Sequence, residues 1–143
     1  MTAVSSALRD FNPEACEAIE RFEGLAFSAV DPTLLALVRL RMGVLLGKPA
    51  ELDLAAAAGI LSSEKIASLP QWPKSPLFSD AERACLDYAE QYVIDVSGMT
   101  EEHSQALLRH FTVAEIFAFA HAVYLIDASQ RSRLVLERVL DNV

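Results

Sequence analysis

The chain has 143 residues, 52% of them hydrophobic and 22% charged, with a net charge of −8 at neutral pH. A balance this acidic repels phosphate backbones and anionic lipid surfaces, so neither nucleic acid nor a membrane is expected as a partner. Composition this apolar argues against disorder. In so short a chain it leaves apolar surface for another subunit, so a homo-oligomer is expected.

The N-terminus, MTAVSSALRDFNPE, lacks a long apolar stretch after a basic start and does not read as a secretory signal. No run of ~18 uncharged apolar residues suggests a membrane span. Cys16 and Cys85 stand far apart with no C-x-x-C, so neither a disulfide framework nor a zinc cluster is expected, and a reducing cytoplasm fits. No metal or other cofactor is implied, and residues 1–143 are read as a single domain.

Asn12-Pro13-Glu14 starts a helix, because Asn can cap free amides, Pro has none to lose and Glu complements the dipole. It is expected to run to about Gly24. Asp31-Pro32 repeats the device, and apolar residues at helical spacing extend the second helix to about Leu46. ELDLAAAAG is a run of strong helix formers, with a left-handed cap expected at Gly59. Ser62 caps a short helix ended by Pro70, and PQWPKSPLF reads as an extended connection pinned to the core by Trp72, Leu77 and Phe78.

Ser79-Asp80-Ala81-Glu82 is a capping box that opens a helix to about Val96. Thr100 caps a further helix through His110. Thr112-Val113-Ala114-Glu115 is a second box, leading into IFAFAHAVYLI and on to Leu140. No alternating strand pattern competes. The expectation is an all-α bundle of six to eight helices.

Among the polar residues His121 is the most informative, being set where a core helix would carry an aliphatic side chain. With Tyr124, Asp127 and Arg131 further along, it can form a polar line opening into a cleft, or it can fix packing through one hydrogen bond. His103 and His110 lie about two turns apart, too far to bind one ion unaided, and read as solvated surface residues. Glu51 and Asp53 read as partners of a helix dipole. Glu14, Glu17 and Glu20 surround Cys16 with negative charge, so a quiet thiol is expected there; Cys85 reads as core.

Three stretches, LVRLRMGVLLG, AAAAGILSSEKIASLPQWPKSPLFSDAERACLDYAE and MTEEHSQALLRHFTVAEIFAFAHAVYLIDASQR, together resemble the carboxymuconolactone decarboxylase and alkylhydroperoxidase D-like family. The resemblance covers about Leu34 to Arg133 and is most specific over Gly59–Glu90, with Trp72, Pro76, Phe78 and Glu82-Arg83. It implies an alkylhydroperoxidase D-like helical fold assembled as dimers, trimers or hexamers. Peroxidases of that family carry C-x-x-C and a His after the glycine matching Gly47, and a Glu on the preceding helix. Here the residues after Gly47 are Lys48-Pro49-Ala50-Glu51-Leu52-Asp53, Ala36 stands at the Glu, and no Cys or His occurs from Asp31 to Gly59. The interval from Gly47 to Gly59 is shorter than the family's by about one turn, ~3.6 residues.

A thiolate must attack peroxide and a second thiol must resolve the sulfenic acid, which Lys48 and Glu51 cannot do. The resemblance therefore implies a degenerate member with a non-redox role: binding a small apolar or acidic ligand, or assembly. The alternative is a carboxymuconolactone decarboxylase-like enzyme acting on a small organic acid, in which His121 moves a proton and Arg131 or Lys48 holds the carboxylate. An alkylhydroperoxide reductase-type peroxidase is the third choice. Asp127, Gln130 and Arg131 fall where the family has an Asn-Arg pair, and Arg131 reads first as a salt-bridge residue.

Overall fold

The computed structural model describes residues 3–47 and 49–143. Eight α-helices follow in order among them: α1 (Ala3–Phe11), α2 (Pro13–Phe27), α3 (Pro32–Leu45), α4 (Glu51–Ala58), α5 (Ser63–Ser68), α6 (Asp80–Ile94), α7 (Glu101–Leu108) and α8 (Val113–Leu140). None is long and apolar enough to cross a membrane.

Local chemistry sets most of these boundaries. Asn12 accepts from the Ala15 amide at 3.1 Å, and one Asp31 oxygen accepts from Thr33 and Leu34 at 2.9 and 3.1 Å. Both expected capping boxes form: Ser79 with Glu82 at 3.1 and 2.9 Å, and Thr112 with Glu115 at 3.2 and 2.7 Å. Each satisfies two amides that a helix start otherwise leaves open.

Other expectations are corrected. α1 precedes the first expected helix, and α2 runs three residues past Gly24. Gly59 is right-handed, with φ −78°, whereas Gly47 takes φ +127°. That positive φ, open to glycine without steric penalty, turns the chain after α3. Pro70 lies inside a 3-10 turn, Leu69–Gln71, so the connection to α6 is coiled where an extended run was expected. Trp72 and Phe78 are buried there, but Leu77 is exposed.

α3 lies at the centre, against α4, α6 and α8. Leu37, Val38 and Met42 of α3 meet Cys85, Leu86 and Ala89 of α6, and Val123 and Ile126 of α8 close the same core. Polar side chains pin the rim. Glu90 accepts from Trp72 Nε1 at 2.7 Å and from Arg41. Arg83 donates to the carbonyls of Trp72, Pro73, Ser75 and Phe78, holding the connection down. The far side is different: α2, α4 and α8 converge on α3 without filling the space between them.

Candidate functional site

The gap between α2, α3, α4 and α8 forms two adjoining chambers. The first, about 360 Å³, is lined by Glu20, Glu23, Phe27, Arg39, Asp53 and Gln130, among others. The second, about 340 Å³, shares Glu20, Glu23, Asp53, Ser129 and Gln130 with it and adds the apolar Leu8, Ile19, Leu125 and Leu136. Each lies in the range of small-molecule sites, roughly 300–1,000 Å³.

Gly43 explains how α4 comes so close to α3. A Cβ there would stand 2.8 Å from the Pro49 Cα, so a side chain would push the connection away. That approach brings Asp53 to Arg39, with Nη1 to Oδ1 at 3.8 Å. The Arg39 guanidinium also lies over the Phe27 ring, 4.5 Å from its centre. Gln130 donates from Nε2 to the Arg39 carbonyl at 2.9 Å, tying α8 to α3. Its Oε1 is buried with no hydrogen-bond partner among the described residues.

Burial raises the Asp53 carboxyl above its ordinary range, against the pull of Arg39, Gln130 and Arg133. Burial raises Glu23 as well, against the Ser129 hydroxyl and Arg39. Glu20 goes the other way, because Arg9 binds it at 2.6 Å and holds it low. Two carboxyls pushed up by desolvation across one cavity mark a place able to hold charge or exchange protons.

Cys16 sits on the wall of the second chamber, its Sγ 3.5 Å from Glu20 Oε1. Burial, the bond to Glu20 and the carboxylate's charge raise this thiol, so it is protonated at neutral pH. Cys85 lies in the core beside a different cavity, and burial pushes it up to about 12. The two thiols line no common chamber.

The residues singled out in the sequence are distributed differently. His121 is exposed on α8, where burial among apolar residues was anticipated, and its Nδ1 donates to the Phe117 carbonyl at 2.8 Å. Tyr124 is exposed beside it. Arg131 holds both Asp127 oxygens, at 2.8 and 2.9 Å, and donates to the Val93 carbonyl at 3.1 Å, fastening α8 to the end of α6. Lys48 lies outside the described residues. His103 is not solvated, as had been expected: its side chain is 14% exposed, faces Asp87 at 3.6 Å, and accepts from the Thr100 amide at 3.1 Å. Among the described residues no three His, Cys, Asp or Glu side chains gather as metal ligands.

Glu23 and Arg39 were missed as site residues, and Asp53 was read first as a dipole partner, in the region where the resembling family keeps its active site. Position was the signal for Asp53, six residues after Gly47; Glu23 and Arg39 carry no such signal in the sequence.

The helix order and the α3–α4 approach define an all-helical, alkylhydroperoxidase D-like fold. A solved structure from Agrobacterium tumefaciens shares it: a protein of unknown function, provisionally named as the antioxidant defence protein AhpD. The two chains superpose with a TM-score of 0.79 at 21% identity, covering 88% of this chain and 90% of that one. No family model and no curated protein matches the sequence. At this identity the likeness speaks for the fold.

Proposed function

We propose that the protein is a degenerate member of the alkylhydroperoxidase D-like group, working as a non-redox binder of a small ligand in the two-chambered cleft. The observation that carries this reading is the chemistry of the cleft wall. Desolvated carboxyls, the guanidiniums of Arg39 and Arg133 and a primary amide stand there, and its one thiol is held protonated beside Glu20. A protonated thiol is a poor nucleophile toward peroxide, and Cys85, beside a separate cavity, is placed badly to resolve a sulfenic acid on Cys16. A decarboxylase built on His121 and Arg131 draws less from this geometry, because neither residue lines either chamber.

Assembly as a homo-oligomer in a reducing cytoplasm belongs to the same proposal. Supporting it are two free cysteines and a row of exposed apolar residues on α8, among them Val113, Phe117, Val135 and Val139.

Consumption of cumene hydroperoxide with dithiothreitol as donor tests the non-redox part. The expected rate equals that of the donor alone. Turnover that disappears in Cys16→Ser or Cys85→Ser would overturn the reading.

A further inference from the structure

We infer that α1 is a flap over the second chamber, hinged at Asn12-Pro13 and latched by Arg9 on Glu20, and that its lifting opens the chamber and uncovers Cys16. Access is a property of α1 whether or not a ligand enters, so its test is separate from that of the ligand reading.

Local chemistry fixes the hinge. Pro13 has no amide to donate to the α1 carbonyls and disfavours helical backbone at the residue before it, so α1 and α2 do not merge into one helix. Asn12 alone separates them, at φ −151° and ψ 78°, and its side chain caps α2 through the Ala15 amide. That cap lies entirely on the α2 side, so α2 keeps its start when α1 moves. The swing falls on the backbone of one residue.

The flap is held lightly. α1 packs against α2 and α8, yet the hydrophobic core takes no residue from it, and none of its described side chains, from Ser6 to Phe11, is buried. Leu8 lines the second chamber, and Arg9 reaches Glu20 at 2.6 Å with both side chains about half exposed. An exposed pair of this kind is a weak closure, and a helix with few buried contacts opens more readily than the core.

What lies beneath is closed. Cys16 is the buried residue of α2, 3% exposed between the exposed Glu14 and Glu17, and it shares the chamber wall with Leu8. One Glu20 oxygen, Oε1, accepts from both Arg9 and the Cys16 thiol, so latch and covered group meet on a single atom. Releasing Arg9 therefore frees α1 directly above the thiol.

Iodoacetamide alkylation, mapped to each cysteine by mass spectrometry, reads the lifting, with Cys85 in the core as the internal reference. Cys16 is expected to react at least about tenfold faster than Cys85, with a rate that hardly changes in low urea, because lifting one short helix exposes little surface. Amide hydrogen exchange across α1 should follow the same opening. Arg9→Gln should speed Cys16 alkylation and α1 exchange together by roughly two- to fivefold, the range of an exposed ion pair. Under a closed α1 the same substitution slows alkylation, because the Arg9 charge favours the Cys16 thiolate. Equal rates for the two cysteines, with equal urea dependence, overturn the flap, since Cys16 is then reached only through global unfolding. Slower or unchanged alkylation in Arg9→Gln, in a chain whose circular dichroism matches the parent's, overturns the latch and the proposal with it.

Discussion

The two sides of α3 use their polar side chains differently. Toward α6, each buried polar group finds a partner: Glu90 collects Trp72 and Arg41, and Glu82 holds Lys65 Nζ with both oxygens at 2.7 and 2.8 Å. Toward α2 and α4, Arg39 acts on both Asp53 and Glu23 across open space, with Arg133 also drawing on Asp53, and Gln130 Oε1 is buried with no donor among the described residues. The first arrangement fixes the chain. The second bridges the helices with longer or partial contacts, Asp53 to Arg39 at 3.8 Å and Gln130 Nε2 to the Arg39 carbonyl at 2.9 Å, and leaves a cavity between them.

The sharpest way to break this contrast is to remove the hub of the closed side. Glu90→Ala strands the Trp72 indole N–H and the Arg41 guanidinium in a region only partly reached by water. The expected loss is about 3 kcal/mol, since each donor left unpaired costs roughly 1–3 kcal/mol. Urea unfolding measures it. A loss no greater than that of Glu23→Gln would mean that both sides are built alike.

Much of the closed side was legible in the sequence. Capping is local, so Asn12, Asp31, Ser62, Ser79 and Thr112 announce helix starts within four residues of where they act. The cleft was not legible for the opposite reason. Its walls come from Glu20 and Glu23, Arg39, Asp53, and Ser129 and Gln130, which only the packing of four helices brings together. In the sequence Glu20 looked like repulsive charge around Cys16; in the fold it is salt-bridged to Arg9 on α1, a helix that was not anticipated. His121 misled because the first half of α8 is apolar on every side. Phe117 is 63% exposed and Tyr124 53%, so apolar neighbours in sequence did not mean burial.

A smaller effect sharpens the contrast through pH. Asp53 and Glu23 bind protons more tightly in the folded chain than at their ordinary values of 3.8 and 4.5. Stability therefore rises as pH falls from neutral through their folded values, and the gain is complete below the ordinary ones. Glu20, held low by Arg9, contributes in the opposite sense, losing stability as pH falls through its folded value. The other charges facing Asp53 are Arg39 and Arg133. Comparing Asp53→Asn with the parent isolates the term. The parent is expected to gain stability relative to the variant between neutral pH and pH 4–5, read from urea midpoints. Parallel midpoints across that range would show that Asp53 is not desolvated by the cleft.

The smallest expected effect concerns Arg131. This side chain is half exposed, and its partner Asp127 lies one turn back on the same helix. Such pairs contribute about 0.3–0.5 kcal/mol, and the added bond to the Val93 carbonyl near the end of α6 brings the total to about 1 kcal/mol. Arg131→Ala should therefore lower stability by no more than that, read from urea midpoints, since the side chain lines neither chamber and its hydrogen bonds are confined to Asp127 and the Val93 carbonyl. A loss several times larger would mean that the His121–Arg131 face of α8 carries more of the fold than its exposure suggests. The two sides of the comparison would then have to be redrawn around that helix.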